Sequence, residues 1–196
     1  MRFTAATLGV TSLMTLSSFS QSSTSARQDA RKECIASLSG FRTDASLHST
    51  PPYPADLNGI TLEYIETGCY GSCPAFTLVI SKDGARFDGH AYVRAKGKHT
   101  AKLSEEQFAA FLRAWYDGNF FAMRDDYCSV TCPDGTVIIV TDIAESSIKV
   151  TTPTFTKRVF QCFATTNGQL ETPKPPEQYF ELGRQLRVFA KSQRWL

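Results

Sequence analysis

The chain has 196 residues, with 21 Lys and Arg against 19 Asp and Glu and a net charge of +2. That length permits one domain with a real hydrophobic core, and the composition is that of an ordinary globular protein. The charge balance argues against a broad nucleic-acid footprint, which needs a concentrated basic face; the densest cluster, Arg94, Lys96, Lys98, His99 and Lys102, falls on a strand and turn and reads as a solvated face.

In chain order, residues 1–23 read as a secretory signal peptide. Arg2 is the positive start, Ala5 to Phe19 is apolar and small without a charge, and serines follow where a peptidase would cut. The stretch is too short and too rich in Ser and Thr for a membrane span, which needs about 20 apolar residues. No later segment is apolar enough either, so no integral membrane segment is expected after signal removal, and the expected location is periplasmic or secreted. Residues 24–59 form a second region. Residues 26–40 suggest a short helix with Cys34, Ile35 and Leu38 on one side. The run Thr50-Pro51-Pro52-Tyr53-Pro54 makes a Pro-rich linker or extended arm.

A single domain is expected over 60–196. Ile60, Leu62 and Tyr64 alternate with polar residues, as in a half-buried strand. Gly68-Cys69-Tyr70-Gly71-Ser72-Cys73-Pro74 is a turn, and Phe76, Leu78 and Ile80 begin a second strand. Asp83-Gly84 signals a hairpin into a strand with Phe87, Ala91 and Val93 on one side. Gly97 turns the chain into a short fourth strand over Lys98 to Leu103. Ser104 and Gln107 form a capping box, and Leu103 with Phe108 fits a hydrophobic staple. The helix that follows carries Phe108, Phe111, Leu112, Trp115 and Tyr116 at helical spacing, and Gly118 is placed to end it in the left-handed conformation. Val137 to Thr141 and Ile148 to Thr152 read as a hairpin around Glu145-Ser146, Phe155 to Phe163 as a helix, and Gly168 to Pro176 as a loop. Tyr179, Leu182, Leu186 and Phe189 mark a C-terminal helix. The expected fold is α+β: an antiparallel β-sheet with a helix packed on one face, plus N- and C-terminal helices.

The GCYGSCP entry motif, the Asp83-Gly84 hairpin, the aromatic strand, Leu103-Ser104-Glu105-Glu106, the helix and Phe120-Phe121 resemble the bacterial domain of unknown function numbered 6438. The resemblance spans about residues 60 to 152 and extends towards Trp195. It implies export and an architecture but no reaction. It also implies an acidic residue where the post-helix loop meets the next strand. Here that region reads Thr131-Cys132-Pro133-Asp134, so the Cys128 and Cys132 pair is an addition in this chain.

Six cysteines, at 34, 69, 73, 128, 132 and 162, are an even count in a chain read as exported, which points to disulfides. The spacing suggests Cys69–Cys73, Cys128–Cys132 and Cys34–Cys162, with a crossed pairing of 69 or 73 to 128 or 132 as the rival. Two chemical readings compete with the structural one. A redox or copper site at Cys69 and Cys73 would want a helix N-terminus to stabilise a thiolate, but a strand follows Pro74. Four thiolates from Cys69, Cys73, Cys128 and Cys132 could hold zinc, with one residue more in each knuckle than the usual C-x-x-C.

Hydrolytic signatures are missing: there is no G-x-S-x-G, H-E-x-x-H or phosphate loop. Of three histidines, His48, His90 and His99, only His90 and His99 are placed to approach each other. Asp125, Asp126 and Asp134 offer oxygen ligands without the register of a calcium loop. No catalytic, cofactor-binding or metal-binding residues are assigned. The expected role is a non-catalytic binding module of the bacterial envelope, its partner an envelope protein or wall component and not nucleic acid. The alternative is a thiol-based redox or metal-handling protein using Cys69 and Cys73.

Overall fold

A computed structural model describes residues 29, 32–34, 50–69, 71–132, 135–139, 144–162, 165–166, 169–170 and 174–196. The expected signal segment lies outside the described residues. Of the helix expected over 26–40, Asp29 and residues 32–34 are described and are helical; the rest of it lies outside them too.

Six strands make an open, wholly antiparallel sheet: β1 (Thr61–Glu66), β2 (Ala75–Ser81), β3 (Gly84–Ala91), β4 (Gly97–Ala101), β7 (Glu145–Thr151) and β8 (Thr156–Cys162), in spatial order β4-β3-β2-β1-β7-β8. Two small pairs stand apart, β5 (Ser129–Thr131) with β6 (Val137–Ile139) and β9 (Thr165–Thr166) with β10 (Gln169–Leu170). The fold is α+β, as the alternation implied.

Period-two patterning decides the inner face. Leu62 and Tyr64 of β1, Phe76, Leu78 and Ile80 of β2, and Ile148 and Val150 of β7 are buried and in register. The β2–β3 hairpin closes through Lys82-Asp83, with Ser81 opposite Gly84. Gly84 has φ +133°, and a Cβ there would come 2.8 Å from the Ala101 carbonyl oxygen, so glycine is required twice over.

Helix α1 (Glu105–Asp117) starts as its sequence dictates: the Ser104 hydroxyl accepts from Gln107 N–H at 3.2 Å, and Gln107 Oε1 accepts from Ser104 N–H at 2.9 Å. Its buried stripe is Phe108, Leu112 and Trp115. Gly118 is not left-handed; its N–H still bonds to Ala114 in helical fashion, and Asn119, with φ +53°, makes the turn instead. Asn is the non-glycine residue best suited to that region. Helix α2 (Glu177–Ser192) buries Tyr179, Leu182, Gly183, Leu186 and Ala190 on one face. Both helices join one core with the inner face of the sheet. Phe111 packs edge-on against Phe189 at 5.9 Å, and Trp195 stacks on Phe87 at 5.1 Å. The arm is seated on α1: Tyr53 packs edge-on against Tyr116 at 5.1 Å, and the Tyr116 hydroxyl donates to the Pro52 carbonyl.

Several expectations fail for definable reasons. Within the helix expected over Phe155 to Phe163, Thr156–Cys162 is a strand, because Lys157, Val159 and Gln161 turn inward in register with β7. The run of Val159, Phe160 and Cys162 fits either period, and the sheet partner decides. No hairpin forms around Glu145-Ser146, since these residues open β7 and β6 pairs with β5 through the turn at Gly135, φ +82°. The loop expected from Gly168 contains β10. The outward face carries a cross-strand charge row, with Glu63 2.7 Å from Lys149 and 3.3 Å from Arg158.

Candidate functional site

A cleft of about 420 Å³ opens where the end of β1, the Cys69–Cys73 turn, the start of β7 and α2 meet. Strand alternation carries Glu66 into it: Leu62, Tyr64 and Glu66 share the inner face, and Glu66 is 8% exposed. A carboxylate in that position must be paired. Tyr64 donates its hydroxyl proton to Glu66, and Arg187 of α2 donates through Nη1 to both carboxylate oxygens. Helix and strand can approach because position 183 is glycine; a Cβ there would lie 3.2 Å from the Tyr64 oxygen.

Beside this pair, the Tyr179 hydroxyl donates to the Ser146 carbonyl at 3.0 Å and lies 2.8 Å from Ser146 Oγ. The phenol has one proton, so the serine hydroxyl donates to it. Burial pushes both phenols well above the ordinary value of 10.0. At Tyr64 the Glu66 charge pushes further in the same direction; at Tyr179 the Ser146 hydrogen bond pulls back part of the way. At the rim, Arg184 is held by Glu181, whose carboxyl its hydrogen bond lowers to about 2, while Lys191 stands exposed.

The polar groups at the floor of the cleft are paired with one another. The Glu66 carboxylate pairs with the half-buried Arg187 guanidinium, burial holds the phenols protonated, and among the described residues Ser146 Oγ bonds to Tyr179 and not to a base. A nucleophile needs such a base within hydrogen-bond reach.

The structure pairs Cys69 with Cys73, Cys34 with Cys132 and Cys128 with Cys162, at Cα separations of 5.5, 5.5 and 5.0 Å. The pairings Cys128–Cys132 and Cys34–Cys162 are therefore corrected. Ser129–Thr131 is extended, and at about 3.3 Å per residue a strand holds Cys128 and Cys132 about 13 Å apart, beyond the reach of a disulfide. Cys69 and Cys73 flank a bend instead. No disulfide crosses from 69 or 73 to 128 or 132, and the Sγ atoms a zinc site would use are bonded in pairs. The first cysteine motif does adjoin the site, for Cys73 lines the cleft; the other four cysteines are not among its lining residues.

His90 and His99 do not meet. His90 lies on the outward side, 4.0 Å from Asp88, whereas His99 sits across from Phe87 on the inner side and bonds to the Lys96 carbonyl at 2.9 Å. Asp125 pairs with Lys157, and Asp126 accepts from Cys128 N–H at 2.6 Å and from Ser129; Asp134 lies outside the described residues. Sequence reasoning missed Glu66, Ser146, Tyr179 and Arg187. One signal was available: the alternation of Leu62 and Tyr64, carried one step further, turns Glu66 inward.

No curated protein matches the chain. A family model for a domain of unknown function (DUF6438) matches residues 60–186, which takes in the six-stranded sheet, α1 and most of α2. The chain belongs to this family.

Proposed function

We propose that the chain is an exported, non-catalytic binding module of the bacterial envelope, and that it takes its ligand in the cleft beside Glu66 and Arg187. The observation that carries this reading is the pairing of the inner polar groups Tyr64, Glu66, Ser146, Tyr179 and Arg187, which leaves a shaped, largely apolar hollow with Arg187 half-buried at its wall. Such a hollow with a few placed polar groups is the usual form of a binding site. Export rests on the N-terminal pattern and on three disulfides, which persist in oxidising compartments. The ligand is an envelope protein segment or a wall fragment.

The test is a titration of isotope-labelled protein with soluble muropeptides and with peptides from envelope proteins, read by amide shifts. Shifts should gather at Thr67, Cys73, Glu145 and Lys191 and vanish in Val188→Glu, at an exposed α2 residue that lines the cleft. Turnover of any added compound, or shifts elsewhere only, would sink the proposal.

A second reading, thiol-based redox or metal handling at Cys69 and Cys73, is favoured by one observation: this disulfide is half-exposed and Cys73 borders the cleft. Against it, β2 and not a helix follows the motif, so no helix dipole is there to stabilise a thiolate. Incubation with glutathione at a cytosolic poise separates the two. Resistance of the Cys69–Cys73 bond supports the binding module, and ready reduction supports the thiol reading.

A further inference from the structure

The two edges of the sheet are treated differently. At β8 the chain covers its own edge: Tyr127 N–H bonds to the Phe160 carbonyl at 2.8 Å, and Phe160 N–H to the Asp125 carbonyl at 2.9 Å. At the other end β4 pairs with β3 alone, and no described residue pairs with its free side. In an antiparallel strand, alternate residues turn N–H and C=O towards each neighbour, so β4 presents a short ladder with no protein partner.

That edge is also strongly cationic. Arg94, Lys96, Lys98 and Lys102 are exposed, and none has an ion-pair partner among the described residues. Register sorts them. Lys98 lies opposite Asp88 and Thr100 opposite Arg86, so Arg86, Lys98 and Thr100 share the outward face, and Lys102 follows in the same alternation. Lys98 makes no ion pair with Asp88, whose carboxylate lies 4.0 Å from His90. The inner side of the edge has Gly97, half-buried His99 and Ala101, with His99 packed near Phe87 at 6.5 Å.

We propose that the open edge of β4 docks an extended acidic segment of another protein by strand addition. A partner strand alternating acidic and apolar residues would set carboxylates against Lys98 and Lys102 and apolar side chains beside His99. Directly opposed side chains in such a pair lie about 4.5–5.5 Å apart at Cβ. The backbone ladder supplies affinity and the side-chain alternation selects the sequence. The same lysines oppose pairing with a second copy of this edge, which leaves an acidic strand as the occupant that the charge favours. This surface is separate from the cleft, so either proposal can fail alone.

The experiment uses a fluorescent peptide alternating Glu and Val, a counterpart alternating Lys and Val, and a Glu peptide N-methylated at alternate amides. The Glu peptide should bind, weaken at about 0.5 M salt, and slow amide exchange across residues 97–101. The other two should not bind. Lys98→Glu with Lys102→Glu, both exposed, should weaken the Glu peptide about tenfold or more and admit the Lys peptide. The inference is overturned if the N-methylated peptide binds equally, if a single-stranded oligonucleotide competes as well as the Glu peptide without protecting β4, or if protection appears at another edge.

Discussion

The inner face of the sheet is built from cross-strand rows of two kinds. One row is Phe87, Leu78, Tyr64, Ile148 and Val159; the next is Ala85, Ile80, Leu62 and Val150, ending in Lys157, whose ammonium reaches the Met123 carbonyl at 2.6 Å. The third row runs through Gly89, Phe76, Glu66, Ser146 and Gln161. All three are buried, yet the third trades aliphatic side chains for a carboxylate, a hydroxyl and an amide. The first two rows are held by area removed from water, at roughly 25 cal/mol per Å². The third is held by partners that come from α2, Arg187 for Glu66 and Tyr179 for Ser146. The polar end of the sheet is thus the end whose integrity depends on the far end of the chain, and it is where the cleft lies.

The largest effect should come from the apolar rows. Leu62 has no exposure, and Leu62→Ala should cost about 2–5 kcal/mol, read as a lower urea midpoint at unchanged slope. In the polar row, Arg187→Met strands a buried carboxylate. Breaking a fully buried pair costs about 3–5 kcal/mol; with 36% of the Arg187 side chain exposed, about 2 kcal/mol is expected. Replacing both partners, Glu66→Met with Arg187→Met, should recover most of that loss, short of the parent by the buried Tyr64 hydroxyl left without its acceptor. A double variant as unstable as Arg187→Met alone would mean that packing of α2, and not charge pairing, holds this end.

The turn that walls the cleft sharpens the comparison further. Cys69→Ala with Cys73→Ala opens a loop of sequence separation 4, for which chain entropy gives about 2 kcal/mol as an upper bound. The cleft should suffer more than the fold: binding of any cleft ligand should weaken while the unfolding slope stays the same. Equal losses in both would make the turn a staple of the whole sheet.

What was legible in the sequence is what local rules govern. The strands β1 to β3 follow from alternation, α1 from its capping box and staple, and the Cys69 turn from its glycine and bend. The rest depended on partners far along the chain. Phe160 and Cys162 read equally well in a helix until β7 lies beside them. Glu145-Ser146 looked like turn residues because Ser146 finds its hydrogen bond at Tyr179, 33 positions on. Glu66 and Arg187 are 121 positions apart, and no spacing rule connects them. Two cysteine pairings failed together: spacing paired Cys128 with Cys132 and so left Cys34 for Cys162, whereas a strand separates Cys128 from Cys132 and each bonds elsewhere.

The smallest effect concerns protons. Tyr64 and Tyr179 titrate above their ordinary value of 10.0 in the folded protein, each chiefly because it is buried. A phenol raised in the folded state keeps its proton there after the unfolded chain has begun to lose its own. Its contribution is therefore complete below pH 10 and is lost as the pH climbs through the folded value. At pH 10 each phenol costs about 0.4 kcal/mol, and above it the loss steepens towards about 1.4 kcal/mol per pH unit for each. Urea titrations between pH 8 and pH 11 should show stability falling at the alkaline end, and falling less in Tyr64→Phe and less again when Tyr179→Phe is added. The exposed Tyr92→Phe, at 64% exposure, serves as the control and should leave the slope unchanged. If the double variant kept the parental slope, the two buried phenols would not be held protonated by the fold, and the cleft would contain an ionisable oxygen.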